Sequence, residues 1–133
     1  MRMKIALAAA AALLAGGAAS PLALAKPAAP GKYDANQCFY TRNVTSFAAP
    51  DEKTLYVRVG VRDVYRFDMF GTCPDIDWNQ RLALVSRGSS WICDGMDAEV
   101  VTHSPIGPQR CPVRTMHKLT PEEIAALPKN ARP

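Results

Sequence analysis

From Leu55 to Met69 the chain alternates. Leu55, Val57, Val59, Val61, Tyr65, Phe67 and Met69 take odd positions, while Arg58, Arg62, Arg66 and Asp68 take even ones. A period of two belongs to a strand with one buried face, so this stretch commits the chain to β structure before composition is considered. The run is long for a single flat strand, and a bend or bulge is predicted near Gly60 or Asp63. Asp63 interrupts the inward row. Either a register shift turns it outward, a nearby arginine or amide satisfies it, or it is a buried functional carboxylate.

Further strands follow from the turn signals around them. Cys38 to Phe47 reads as the first strand, and 48–53 as a turn. Gly71-Thr72-Cys73-Pro74 ends the long strand and opens a loop through Asn79. Arg81 to Arg87, Ser90 to Cys93, Ala98 to His103 and Arg110 to Leu119 supply the rest, with turns at Gly88, Asp94-Gly95 and 105–108. One short helix is predicted near the C-terminus: Thr120 is the N-cap, Pro121 stands at N1, and Glu123 at N3 completes a capping box. The expected fold is mainly β, a small twisted antiparallel sheet or partly closed barrel of five to six strands with one C-terminal helix.

Four cysteines, Cys38, Cys73, Cys93 and Cys111, fall inside this β region. Upstream, Arg2 and Lys4 precede an apolar stretch from Ile5 to Ala15, and Gly16-Gly17 and Pro21 come before Ala23-Leu24-Ala25. That pattern is a secretory signal peptide over 1–25 with cleavage after Ala25, and the mature chain would be periplasmic or secreted. A membrane anchor fits less well, because the stretch is mostly alanine and is broken by Gly and Pro. No lipoprotein box precedes Cys38. Residues 26–37 read as a flexible linker, 38–127 as a single β domain, and 128–133 as a flexible tail.

A domain of about 90 residues is marginal on its core alone, and an even cysteine count in an exported chain reads as two disulfides. Three pairings are possible; Cys73–Cys93 nested inside Cys38–Cys111 is the favoured one. No Cys-x-x-Cys spacing suggests redox chemistry. A zinc set of Cys93, His103, Cys111 and His117 lacks close ligand pairs.

Charge removes other functions. Without Arg2 and Lys4, the 16 basic residues fall to 14 against 12 acidic ones, too even a balance for a nucleic-acid binder. Asp75, Asp77 and Asn79 space like the start of a calcium loop, but Gln80 stands where its glycine should be and Ser86 where its glutamate should be. The acids are better read as starting turns, with Trp78 packed over the neighbouring bridge. Ser89, Ser90 and the histidines form no nucleophile elbow. No residue is assigned a catalytic or metal-binding role, and no motif asks for a cofactor. The candidate ligand face is the one where Arg58, Arg62 and Arg66 share the solvent side with Tyr56. The competing account is that Asp68 and other acids pair with them across strands.

The blocks Cys38-Phe39, Arg42-Asn43-Val44, 55–60, 62–66 and Phe70-Gly71-Thr72-Cys73 resemble, in order, a known family. Trp91-Ile92-Cys93, Arg110-Cys111-Pro112-Val113 and 119–123 continue the likeness. The family is one of small exported proteobacterial four-cysteine proteins known only as a domain of unknown function. The resemblance implies a Gram-negative envelope location and a structural role for all four cysteines, with no activity to carry over. Members are often tethered as lipoproteins, so a copy without a lipobox is expected to be soluble. The expected function is a non-enzymatic binding or envelope accessory module using a sheet face, its partner an envelope protein or surface. The alternatives are a small periplasmic hydrolase built on Asp63 or His103, and a metal or redox accessory protein.

Overall fold

The alternating stretch becomes two strands rather than one. In the computed structural model, which describes residues 35–78 and 81–133, β3 (Thr54–Val59) and β4 (Asp63–Met69) form a hairpin closed by Gly60, Val61 and Arg62. The expected leader, its cleavage site and most of the linker lie outside the described residues. Gly60 supplies the turn's left-handed conformation at φ 62°. Because Val59 pairs with Asp63, the reversal keeps odd residues on one face: Leu55, Val57, Val59, Tyr65, Phe67 and Met69 are all buried. Val61 is the odd residue left out, 85% exposed at the tip.

The expected first strand is likewise divided. A 3-10 turn at Thr41–Asn43 separates β1 (Phe39–Tyr40) from β2 (Val44–Asp51). Downstream come β5 (Ala83–Ser86), β6 (Trp91–Ile92), β7 (Ala98–Ser104) and β8 (Gly107–Lys118), then α1 (Pro121–Ala126). Six strands form an antiparallel half-barrel in the order β2-β3-β4-β8-β7-β5, and β1 pairs with β6 in a separate ribbon.

Strand β8 makes the curvature possible. Its first half, through Pro112, pairs with β7, and its second half, from Val113, pairs with β4. Pro112 has no N–H to donate and sits where the partner changes, which is where a central strand tolerates it. Beyond that point the 3-10 turn Gly95–Asp97 lies on β8 in place of β7. It comes so close that a Cβ on Gly95 would stand 2.6 Å from Thr115 Cα.

The hollow of the half-barrel is filled. The β1–β6 ribbon lays Phe39 and Ile92 over it, with the Phe39 ring 4.7 Å from Tyr65 and 6.3 Å from Phe67 between centroids. A smaller cluster of Val64, Leu119, Leu127 and Ala131 closes the outer face beneath α1. The final residues, expected as a loose tail, form a 3-10 turn at Lys129–Ala131 whose Ala131 is buried.

All four cysteines are bridged, but not in the favoured nesting: the bonds are Cys38–Cys93 and Cys73–Cys111. Register decides this. Phe39 opposite Ile92 sets Cys38 across from Cys93, and Phe70 N–H donating to Pro112 O brings the chain after β4 past Cys111.

Helix α1 begins as its sequence dictates. Thr120 Oγ1 accepts from Glu123 N–H at 3.3 Å, and Glu123 Oε2 accepts from Thr120 N–H at 2.7 Å. That main-chain hydrogen bond, with His117 Nε2 3.5 Å away, holds the Glu123 carboxyl below the usual carboxylate range. A carboxyl depressed on folding adds stability above its unfolded value of about 4.3, and the gain is lost as pH falls through the lower folded value. The wild type is therefore expected to melt above Glu123→Gln at about pH 6, with the gap narrowing as the pH falls below about 4. Calorimetry across that range checks it, and a constant gap would refute the linkage.

Candidate functional site

The arginine row is largely engaged within the molecule. Arg58 Nε and Nη2 donate to Pro133 O at 2.9 and 2.6 Å, and Nη1 donates to Val61 O at 3.2 Å. Arg66 Nε donates to Asp68 Oδ1 at 3.0 Å, while Asp68 Oδ2 accepts from Thr115 Oγ1 at 3.1 Å. Burial works against the Arg66 charge, but the Asp68 hydrogen bond and charge outweigh it and raise its pKa. Tyr56 is half-buried against the cluster under α1, and Arg62 stands exposed in the hairpin turn. Cross-strand register places Tyr56, Arg66 and His117 in one line over β3, β4 and β8. In that line Asp68 stands beside Arg66 and Glu123 beside His117.

Asp63 is not a buried carboxylate. It opens β4, its side chain is 49% exposed, and Oδ2 lies 3.1 Å from Lys118 Nζ. The hydrogen bond from Lys118 to Asp63 raises the Lys118 pKa, against the cost of burial. His103 is far from this pair: it stands opposite Pro108, near the start of β8, whereas Lys118 ends that strand. The two residues of the hydrolase alternative therefore sit toward opposite ends of the sheet. The zinc set is also separated, because Cys93 and Cys111 belong to different disulfides. Among the described residues no group of three or more His, Cys, Asp or Glu side chains could hold a metal ion.

The feature that sequence reasoning missed is a groove along β2. It has a volume of about 610 Å³ and is lined by the consecutive residues Thr45 to Ala49 together with Ile76, Asp77, Trp78 and Asn130. Ile76 is buried and anchors the loop beneath the sheet edge. Asp75 takes a left-handed backbone at φ 62°, and the loop then brings Trp78 out at 83% exposure. The indole does not cover a disulfide, as its position in the sequence suggested; it forms a wall of the groove.

The groove shares Asp77 with a separate hollow of about 540 Å³ lined by Pro50, Asp51, Glu52, Lys53, Thr54 and Asp77. Three acids face one lysine there. A second exposed aromatic lies on the β1–β6 ribbon, where Trp91 is 53% exposed and pairs with Tyr40 at 5.6 Å between ring centroids. Geometry of this kind offers hydrogen bonds, apolar walls and charge.

The model of a family of unknown function, DUF6491, matches residues 1–133. The chain belongs to that family. Neither a curated protein nor a solved structure matches it. For this DUF6491 chain the family sets no activity, so the functional reading rests on the groove and the sheet. The two disulfides are consistent with an extracellular or periplasmic location, and no helix among the described residues is long and apolar enough to cross a membrane.

Proposed function

We propose that the chain is an exported, non-enzymatic module of the cell envelope that binds a partner protein along the β2 side of its sheet. The observation that carries this reading is the groove on the sheet edge with Trp78 as its exposed wall. Solvent-facing indoles beside a concave surface are typical anchors of protein contacts, because a large apolar area is covered at small entropic cost. Two disulfides support export, since such bonds persist in oxidising compartments.

A photo-cross-linking residue at position 78 of the full chain, expressed in a Gram-negative envelope, tests the reading. Irradiation is expected to give a discrete protein adduct from position 78 and none from the same residue placed at Arg62, on the exposed β3–β4 turn. Equal yields from the two positions, or no adduct from either, would overturn it.

A further inference from the structure

We infer that β2 receives an extended segment of its partner as an added strand, with a lysine or arginine of that segment set against Asp77. The inference rests on the binding-module reading and names its mode and the chemistry of its ligand.

The hydrogen-bond ladder gives the first argument. Met69 N–H donates to Lys53 O at 2.9 Å, which fixes the odd residues of β3 as those bonded to β4. Its even residues therefore bond to β2, through the pairs Arg58–Ser46 and Tyr56–Ala48. By alternation, Phe47 turns its N–H and C=O away from β3, toward the open side. Among the described residues, no main-chain hydrogen bond from any other segment reaches 45–50. The unpaired donor and acceptor of Phe47, on an edge that no other segment covers with main-chain bonds, are a template for another strand.

The edge is also limited in length, which separates a docking site from an aggregation hazard. Register shifts interrupt β2 between Val44 and Ser46 and again between Ala48 and Asp51, and Pro50 removes a donor at the second. These are ordinary defences of a sheet edge. Between them, Ser46 to Ala49 carries no charge and no proline. The opposite edge, β5, has only four residues, and Ser86 Oγ there donates to Trp91 O at 2.9 Å.

Charge identifies the occupant. Asp77 is common to the groove and to the hollow that also holds Asp51 and Glu52. None of these three acids makes an ion pair among the described residues. A strand laid in the groove thus meets an end where three acids outnumber the single Lys53, leaving net negative charge for a basic side chain to answer, and Trp78 offers a flat apolar surface beside it. An extended peptide of small or branched residues with one basic side chain satisfies all three surfaces.

The test uses the full-length chain and synthetic seven-residue peptides of alternating valine and threonine. Lysine is placed at one end or the other, and each peptide has a glutamate counterpart and a series with single amides N-methylated. Fluorescence anisotropy is expected to show one lysine peptide binding at least tenfold tighter than its glutamate counterpart. Methylation at every second amide should weaken it at least tenfold, with the intervening amides tolerant. Asp77→Lys should reverse the charge preference, and Trp78→Ala should weaken binding about tenfold; both positions are exposed, and an unchanged melting temperature confirms the fold. No binding by either lysine peptide, binding indifferent to Asp77→Lys, methylation without an alternating pattern, or a dimer of the chain abolished by Trp78→Ala would each overturn strand addition. If peptides fail while position 78 still yields its adduct, strand addition falls and the binding module stands. If both fail, both fall.

Discussion

Alanine at both Cys73 and Cys111 is expected to lower stability by about 4 kcal/mol, the loop-closure value for the 38-residue separation of that bridge. The melting temperature should fall by about 16 °C or more. The estimate comes from the unfolded chain, which gains freedom when the tie is removed. The native state loses as well, because both cysteines belong to the buried core cluster. Calorimetry measures the loss. Non-reducing proteolysis of the wild type should join a peptide holding Cys73 to one holding Cys111, and recovery of Cys73 joined to Cys93 would refute the pairing.

The second large effect needs only a methyl group. Gly95→Ala would place its Cβ 2.6 to 2.7 Å from the N, Cα and C of Thr115, and a backbone cannot swing aside as a side chain does. Overpacking of this kind costs about 3 kcal/mol, a fall of about 12 to 24 °C in the melting temperature. The matched control is Gly88→Ala, where an added Cβ meets nothing within 4 Å and the change should stay within about 0.5 kcal/mol. Equal melting of the two variants would mean that the Gly95–Asp97 turn does not lie on β8.

The buried row of β3 and β4 was legible because alternation reports burial directly. Its folding into a hairpin was not, because a three-residue turn between paired Val59 and Asp63 preserves parity through the reversal. Only Gly60 marked the place. The capping box at Thr120 and Glu123 is a local device and was read correctly. Cysteine pairing depends on which distant strands become neighbours, so spacing alone could not choose Cys38–Cys93. The groove was hidden for the same reason. Being at an edge is a property of the whole sheet order, and the side of the chain on which Trp78 emerges is set by the anchoring of Ile76 in the core. Asp63 stood on the inward parity of its strand, but as the first residue after a turn it had room to reach Lys118.

The change of partner at Pro112 has a mechanical consequence. Since a single backbone, β8, serves as a seam between β7 on one side and β4 on the other, neither flank can detach without dragging the seam along. A single domain of this size, joined through one such seam, loses order cooperatively and close to all or none. The acceptor strand β2 hangs from this seam through β3 and β4. A visiting segment therefore meets a surface already set, and most of the ordering on contact falls to the visitor.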